Sequence, residues 1–240
     1  MIKSSVFRAN DIRGVWGQEW DELGVRKLAD ALFLEFGLKT VAIGQDLRAC
    51  SKKIAQILID QFSAYGVEVW DLGEITSDIS YFVSSFWQPD ITIMVTASHN
   101  PGGYGGLKIS LPKSEIVDFN NKHKRVKTIA LGEKRLNIKL KKDKRIVRRD
   151  PYDDFRAKVL SLIDLKAIKP LRVIVDGGGG IAGKTVLKLA DGLPLKISLI
   201  NYDPINQASG QIGNPLLPAA LKELSQKVVA KQADFGAGFD

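Results

Sequence analysis

Short apolar runs alternate with amphipathic stretches through residues 40–95, and this alternation predicts strand and helix units in turn. The apolar runs are rich in valine and isoleucine, which is typical of buried strands. Between them, apolar residues recur every three or four positions, the spacing of a helix that buries one face. Strands separated by helices of this length indicate a mostly parallel sheet. The predicted strands are residues 40–43, 67–70 and 91–95.

Capping residues predict where the two helices between these strands begin and end. Ser51 and Ser77 are placed as N-caps, because a serine oxygen accepts a hydrogen bond from the first helical turn. Gly66 is placed as the stop of the first helix, because glycine readily adopts the left-handed conformation found at helix ends. The apolar stripes that would pack on the sheet are Ile54, Ile57, Leu58 and Phe62 in the first helix and Ile79, Phe82, Val83 and Phe86 in the second.

A second series begins at Asp150 and Pro151, which resemble a helix N-cap and a first-turn proline, and we place a domain boundary there. The fold class is therefore predicted as α/β, with mixed, mostly parallel sheets sandwiched by helices. One complete domain, residues 1–150, precedes most of a second similar domain, residues 151–240. Because the sequence stops at Asp240 inside a predicted strand, we expect a portion of a longer protein. The second series comprises strands at 171–175, 195–200 and 234–239, a glycine turn at 176–180, and helices at 181–190 and from Pro218.

The composition is that of an ordinary globular protein. With 45% hydrophobic residues among 240, the chain is long enough to bury a substantial core. No uninterrupted apolar run reaches the roughly 18 residues of a membrane span, and the N-terminus lacks the apolar core of a signal peptide. We therefore predict a cytoplasmic protein with no membrane partner. A single cysteine, Cys50, excludes an internal disulfide and is expected to be buried.

The net charge of +8 comes from one segment of the chain. Residues 122–149 hold 13 Lys and Arg against two acids, a balance of +11, so the remaining residues sum to −3. Such a stripe can neutralise nucleic-acid phosphates. Here Leu136, Ile138 and Leu140 alternate with polar residues, which predicts a half-buried strand with a solvated basic face, and no aromatic residues are interleaved for stacking. We therefore predict no nucleic-acid partner.

The segment from Thr96 to Lys108 combines a hydroxyl, an imidazole and an ammonium on one glycine-rich turn. It directly follows the predicted strand at 91–95, so Ser98 is expected at the C-terminal edge of the sheet, where open α/β sheets bind ligands. The glycines let backbone N–H groups converge on an anion. Lys108, placed at the start of the returning strand, can point its ammonium to the same site. These features predict a phosphate site, with a polar hairpin in which Ser98 caps a turn as the structural alternative.

A serine hydrolase is a weaker interpretation of Ser98 and His99. Adjacent residues at an extended strand end point in opposite directions, so His99 is poorly placed to take the proton of Ser98. His123 is the other imidazole of the two in the chain, and no G-x-S-x-G elbow surrounds the serine. The sequence therefore does not favour this chemistry.

A nucleotide site is the stronger rival. Residues 178–185 match the G-x-x-x-x-G-K-[ST] pattern of P-loops letter for letter, and they lie between a predicted strand and a predicted helix. A P-loop enzyme also needs a carboxylate for magnesium at the end of a second strand. The strand at 195–200 ends in Asn201 and Tyr202, which do not supply one. Nucleotide binding therefore stays an alternative function.

Together, the motifs resemble those of the phosphohexose mutases, the phosphoglucomutase/phosphomannomutase family. The run from Thr96 to Pro101, with Gly106 and Lys108 at the family's distance, is similar to its phosphoserine loop and is the most specific match. The resemblance extends over nearly the whole chain and accounts for the P-loop pattern without a nucleotide. Further matches are Phe7-Arg8, residues 11–14, the turn residues Gly44, Asp46 and Arg48, residues 173–183, Asn214-Pro215 with Pro218, and Phe239-Asp240, which looks like the start of the family's metal loop.

The resemblance implies a four-domain enzyme in which a phosphoserine passes its phosphoryl group to a hexose phosphate, of glucose or mannose. A bisphosphate intermediate then returns the other phosphate, so that phosphate moves between C1 and C6. The implied phosphoserine is Ser98, and the implied Mg²⁺ is bound by the phosphate of Ser98 and by three aspartates, of which Asp240 is the first. The remaining implied residues are Arg13, His99 and Lys108 in catalysis, and Arg8, Arg48 and Asn100 in substrate or phosphate binding.

One of the catalytic side chains must also move a proton to or from the sugar hydroxyl. Lys108 or His99 suits this role better than Arg13, because a guanidinium stays protonated in proteins. An ion pair of Arg13 with Asp11 or Asp46 would be a structural role compatible with catalysis.

Four residues depart from the family's pattern, and each replaces a ring, a charge or a hydrogen-bonding group. The two further metal aspartates and the sugar-selecting region would follow Asp240. We therefore expect little or no mutase activity from the 240 residues alone, and a non-catalytic remnant of a mutase is the second alternative. The departures are Asn10 for tyrosine, Gln45 for arginine, and Gly105 and Gly178 for asparagine.

Overall fold

A computed structural model describes residues 1–132, 138, 140–141, 145–202 and 218–239. The chain divides into two compact units, the first formed by residues 1–97 and 103–150 and the second by residues 98–102 and 151–240. Both units contain sheets with packed helices, so the predicted α/β class is confirmed. Within the described ranges, no helix is long and apolar enough to cross a membrane.

The described part of the first unit contains seven strands: β1 (Asp11–Val15), β2 (Thr40–Gln45), β3 (Glu68–Glu74), β4 (Ile91–Val95), β5 (Tyr104–Leu111), β6 (Glu115–Ile116) and β7 (Arg145–Arg148). The order across the sheet is β1-β5-β4-β2-β3-β7, with β6 paired to β5. Strands β4, β2 and β3 are parallel, as the crossover pattern predicts. Strand β7, which the sequence pattern did not predict, is parallel to β3. Strand β5 runs antiparallel to both β1 and β4, which makes the sheet mixed.

Helices cover both faces of this sheet: α1 (Glu22–Phe36), α2 (Ser51–Ala64), α3 (Ser77–Phe86) and α4 (Lys124–Leu131). Val41 and Ile43 of β2 belong to the core that the sheet shares with α1 and α2. Ala42, between them, points to the opposite face because strand side chains alternate, and it is equally buried. Helix α3 packs on β2, β4 and β5. Burial on both faces explains why the central strands are continuous apolar runs.

Helices α2 and α3 each begin one residue earlier than predicted. Ser51 and Ser77 are the first residues of α2 and α3 and not their N-caps. Thr76 caps α3, because its hydroxyl oxygen accepts a hydrogen bond from the Ile79 N–H at 3.4 Å. Threonine caps by the same chemistry as serine, so the sequence alone did not separate the two neighbours. Gly66 does adopt the predicted left-handed conformation after α2, with φ of 77°.

The second unit has a parallel sheet of order β10-β8-β9 among its described residues. Its helix start also differs from expectation, because Pro151, and not Asp150, is the residue before the first helix. The predicted strand at 136–141 falls largely outside the described residues, as do Asn214 and Pro215. The elements are α5 (Tyr152–Leu160), β8 (Leu171–Asp176), α6 (Ala182–Ala190), β9 (Leu195–Ile200), α7 (Pro218–Ala230) and β10 (Phe235–Gly238).

Cys50 is buried, as predicted, and its thiol should be chemically inert. Burial, followed by the Asp46 carboxylate, raises the pKa of the thiol to about 11, although the Arg48 charge opposes the shift. Since the thiolate is the reactive form, iodoacetamide should modify the folded chain about 100-fold more slowly than the denatured chain near neutral pH. The folded-state rate should keep rising with pH up to the raised pKa. Equal rates for the folded and denatured chains would contradict this burial.

Candidate active site

Ser98 lies in the turn that follows β4, three residues beyond the last residue of the strand. Its φ of 54° is in the left-handed region, which residues with a side chain rarely adopt. The Oγ of Ser98 is 3.5 Å from Nδ1 of His99. The expectation that the two side chains point apart is therefore wrong, because it assumed an extended backbone where the chain makes a left-handed turn. Strained turn residues of this kind cost about 1–3 kcal/mol and cluster at functional sites.

Strand register places two candidate cations next to the strand end that leads into this turn. The Thr96 N–H donates to the Gly106 oxygen at 2.9 Å, one step beyond the last paired residues of β4 and β5. On its other side, β5 pairs Gly106 with Arg13 and Lys108 with Asp11. Cross-strand partners, and residues two apart on one strand, face the same side of a sheet. Asp11, Arg13 and Lys108 therefore share one face beside this strand end.

An ion pair orients Arg13. Its Nη2 donates to Oδ2 of Asp11, and both side chains are mostly buried. The expected pairing with Asp11 is thus present, whereas the other expected partner, Asp46, pairs with Arg48. Lys108 lies opposite Asp11 in the middle of β5 and not at the start of the strand as expected. One carboxylate between two cations leaves a net positive charge, which favours a bound phosphate.

Arg48 is an interior residue, only 3% exposed. Its Nε is 3.2 Å from Oδ2 of Asp46, and its Nη1 donates to the Tyr104 oxygen at 3.3 Å. Burial lowers the pKa of the Arg48 guanidinium from its ordinary value, and the Asp46 charge acts in the opposite direction. Arg48 therefore braces the turn after β2 against the start of β5.

The same turn is fastened to the end of β4. The Asp46 N–H donates to the Val95 oxygen at 3.0 Å, and Oδ1 of Asp46 accepts hydrogen bonds from the Arg48 N–H and the Ser51 hydroxyl. The turn that contains Asp46 and Arg48 thus supports the end of β4, which leads into the turn at Ser98. We expected Arg48 to bind phosphate, and sequence reasoning missed this bracing role because one of its partners, Tyr104, is 56 residues away in the chain.

The remaining predicted site residues, Arg8, His99 and Asn100, are more exposed than Arg48. Arg8 is exposed in the segment before β1, where its N–H donates to the Asp11 oxygen at 2.9 Å. His99 is exposed and Asn100 is half-buried in the turn. The structure therefore presents the His99 imidazole to solvent and to the Ser98 hydroxyl, and it places Arg8 at the surface next to the start of β1.

Gly105, one of the departures from the family's pattern, packs against the side chain of Trp20. A Cβ at Gly105 would lie 3.0 Å from Ile54, 3.1 Å from Trp20 and 3.2 Å from the Cys50 sulfur. The Trp20 indole is fully buried, and its Nε1 donates to the Gly14 oxygen at 3.2 Å. The space for an asparagine side chain is therefore filled by the side chains of Ile54, Trp20 and Cys50. Sequence reasoning did not single out Trp20.

The described residues do not form a magnesium site by themselves. Within the described ranges, no group of three or more His, Cys, Asp and Glu side chains is arranged to hold a metal ion. The predicted ligand Asp240 lies outside these ranges, and Ser98 supplies a single hydroxyl. Mg²⁺ demands near-octahedral oxygen ligation and is usually bound through carboxylates or phosphates.

In the P-loop-like turn of the second unit, the backbone N–H groups donate hydrogen bonds to acceptors within that unit. Asp176, at the end of β8, is buried and also accepts a hydrogen bond from the Asn201 side chain at 3.2 Å. A P-loop, in contrast, leaves its backbone N–H groups directed at phosphate oxygens. The turn is therefore closed by internal hydrogen bonds. They run from the Gly178 N–H to Asp176 Oδ1 at 2.9 Å, from the Gly179 N–H to the Asn201 oxygen at 2.6 Å, and from the Gly180 N–H to the Gly177 oxygen at 2.8 Å.

We accordingly expect no nucleotide binding at this turn. The hydroxyl of Thr185, which would bind magnesium in a P-loop, is buried and 3.1 Å from the Tyr152 hydroxyl. Millimolar MgATP should leave the unfolding temperature of the chain unchanged, and Lys184→Ala should behave like the parent chain. Stabilisation by ATP that Lys184→Ala abolishes would restore the nucleotide alternative.

The comparisons with known proteins define the family and the class of this fold. The chain matches the sequence model of the phosphoglucomutase/phosphomannomutase α/β/α domain I over residues 4–129, just over half of its length. The chain therefore belongs to the phosphoglucomutase/phosphomannomutase family. The resemblance drawn from its motifs is confirmed.

Two curated proteins and one solved structure match nearly the whole of this chain. The chain is 28% identical over its whole length to a phosphomannomutase of Vibrio cholerae, of which it covers 54%. It is 30% identical over 98% of its length to a phosphohexose mutase of Xanthomonas campestris, of which it covers 52%. A crystal structure of a phosphoglucomutase/phosphomannomutase family protein from Burkholderia thailandensis matches 98% of the chain, with a TM-score of 0.85 and 26% identity, and is itself covered to 52%. The chain thus spans about half the length of the curated relatives it matches.

Proposed function

We propose that the chain is the N-terminal portion of a phosphohexose mutase, in which Ser98 accepts a phosphoryl group from a hexose bisphosphate and returns it to a hexose monophosphate. The observation that carries the proposal is the placement of Ser98 in a strained turn directly after β4. Lys108 on β5 and Arg13 on β1 share one face of the sheet, on one side of the strand end that leads into this turn. In this proposal, residues 1–150 form the phosphoserine-loop domain and residues 151–240 most of a second domain.

The proposed chemistry assigns one task to each side chain. The Ser98 oxygen forms a bond to phosphorus while the bond from phosphorus to the sugar oxygen breaks, so the hydroxyl loses a proton and the sugar oxygen gains one. His99, with Nδ1 3.5 Å from the Ser98 oxygen, is assigned to the hydroxyl proton. Lys108 is assigned to the sugar oxygen. Arg13, held by Asp11, stabilises the charge on the phosphoryl oxygens.

Mg²⁺ is the proposed cofactor, on the grounds of family membership. When bound, it would offset the negative charge of the phosphoserine. Phosphorylated Ser98 and Asp240 are the residues of this chain that we propose as ligands. The described residues do not complete such a site, and no step assigned above depends on the metal ion.

The proposal is tested by separating phosphoryl transfer from turnover. Incubated with glucose 1,6-bisphosphate and Mg²⁺, the 240-residue chain should gain one phosphoryl group by intact-mass spectrometry. It should convert glucose 1-phosphate or mannose 1-phosphate to the 6-phosphate at no more than the background rate, since it spans about half of its relatives. Enzyme-like turnover would contradict the proposed incompleteness. A chain that stays unmodified would favour the non-catalytic remnant.

A further inference from the structure

The first unit has a cavity of about 520 Å³ at the far edge of its sheet. Its lining includes the first residues of three parallel strands, Thr40, Glu68 and Arg145, which are paired in register. Because β4 runs parallel to these strands, its C-terminal end lies at the other edge. At about 3.3 Å per residue, strands of five to seven residues separate the two edges by roughly 15–20 Å. The cavity is therefore distinct from the proposed phosphoserine site.

The cavity has an apolar floor and a cationic rim. Leu38 and Tyr65, each 4% exposed, form the floor together with the half-buried Phe33. Burial raises the pKa of the Tyr65 hydroxyl, as does its hydrogen bond to Asp30, so the ring stays neutral. The rim carries the exposed side chains of Lys39, Lys141 and Arg145. Such a floor suits an apolar group, and the rim suits an anionic one.

The rim cations are not neutralised within the described part of the chain. There, no ion pair involves Lys39, Lys141 or Arg145. The acidic residue among the lining residues is Glu68, and its Oε1 accepts a hydrogen bond from Trp70 Nε1 at 2.7 Å. Among the lining residues, three cations stand against one carboxylate. Two further carboxylates contact the lining from behind: Asp90 accepts hydrogen bonds from the Lys39 and Thr40 N–H groups, and Asp30 accepts one from the Tyr65 hydroxyl. The exposed rim itself is cationic, which favours an anionic group there.

We propose that this cavity binds a small organic phosphate with an apolar body. The volume falls within the range of about 300–1,000 Å³ that is usual for small-molecule sites. The apolar body would lie on Leu38, Tyr65 and Phe33, and the phosphate would contact Arg145, whose planar guanidinium binds phosphate through two hydrogen bonds, and the two lysines. The proposed mutase chemistry assigns no task to the basic segment, residues 122–149. Binding at this cavity would give Lys141 and Arg145 of that segment a function.

Phenyl phosphate is the probe for this site, and inorganic phosphate and phenol are its two halves. In titrations of the 240-residue chain followed by ¹⁵N NMR, phenyl phosphate should bind at least about 10-fold more tightly than either half, because only the whole probe uses both floor and rim. The largest amide shifts should fall on Thr40, Gly66 and Glu68. Shifts confined to residues 98–102, or the absence of saturable binding, would overturn the proposal.

Two matched charge reversals test the rim. Lys39→Glu with Arg145→Glu should weaken phenyl phosphate binding at least about 10-fold, whereas Lys52→Glu with Lys124→Glu, the same change of net charge on α2 and α4, should weaken it less than about 2-fold. Equal losses in the two pairs would refute a specific site. Glu68→Gln keeps an acceptor for Trp70 and removes the acidic charge, so it should tighten binding a few-fold. Unchanged or weaker binding by this variant would also contradict the proposal.

Discussion

Ser98→Ala is expected to abolish phosphoryl transfer to the chain, a loss of about three orders of magnitude or more. Alanine keeps the Cβ but removes the oxygen that would form the bond to phosphorus, and a neighbouring hydroxyl cannot replace an oxygen positioned by a specific turn. Phosphorylation is measured by intact-mass spectrometry after incubation with glucose 1,6-bisphosphate. The matched control is Ser85→Ala on α3, an exposed serine that should not affect incorporation.

A second variant separates loss of the hydroxyl from loss of the fold. Glycine adopts a φ of 54° without the penalty that serine pays, so Ser98→Gly should stabilise the chain by about 0.5–1 kcal/mol while losing phosphorylation as completely as Ser98→Ala. Stability is measured by denaturant unfolding. A Ser98→Ala chain that still accepts a phosphoryl group at the parent rate would show that another residue carries it.

Gly106→Ala is expected to destabilise the first unit by about 3 kcal/mol or more, the upper range for inserting atoms into a packed interior. A Cβ at this position would lie 2.5 Å from the Thr96 oxygen and 2.6 Å from the Ile12 oxygen. Both are backbone atoms of neighbouring strands, so the clash cannot be relieved by rotating a side chain. β1 and β4 would have to separate from β5, which would also displace the strand end that precedes Ser98.

The unfolding temperature of the Gly106→Ala chain should fall by about 10 °C, given roughly 2–4 °C per kcal/mol for a chain of this size. Gly103→Ala is the matched control in the same glycine-rich stretch, because no heavy atom lies within 4 Å of the Cβ that it would add. It should change stability by less than about 0.5 kcal/mol. Equal stabilities of the two variants would contradict the close approach of three strands at Gly106.

The central strands were predictable because burial on both faces makes them continuous apolar runs. Residues 91–95 coincide with β4, and all five of them are buried. In contrast, β1 was not assigned as a strand, because Asp11–Val15 contains two charged residues and a glycine. Its strand character depends on pairing with β5, and the two strands are about 90 residues apart in sequence. Local periodicity does not report such a partner.

The candidate site shows the same division between local and distant determinants. The motif around Ser98 was recognisable, and so was the ion pair of Arg13 with Asp11, two residues away. The burial of Arg48 was not, because it depends on the Tyr104 oxygen, a partner 56 residues away. The P-loop pattern was misleading for a related reason. Its letters specify glycines, but hydrogen bonds to Asp176 and Asn201 determine whether the amides are available to a ligand.

Phosphopeptide mapping of the protein purified from its own cells, with phosphatases inhibited, tests the central claim most directly. The account predicts a phosphoryl group on Ser98 in the tryptic peptide that spans the turn after β4. It predicts that treatment with glucose 6-phosphate or mannose 6-phosphate removes this group. Peptides in which Ser98 is always unmodified, or in which the phosphate lies on another residue and resists the sugar phosphates, would contradict it.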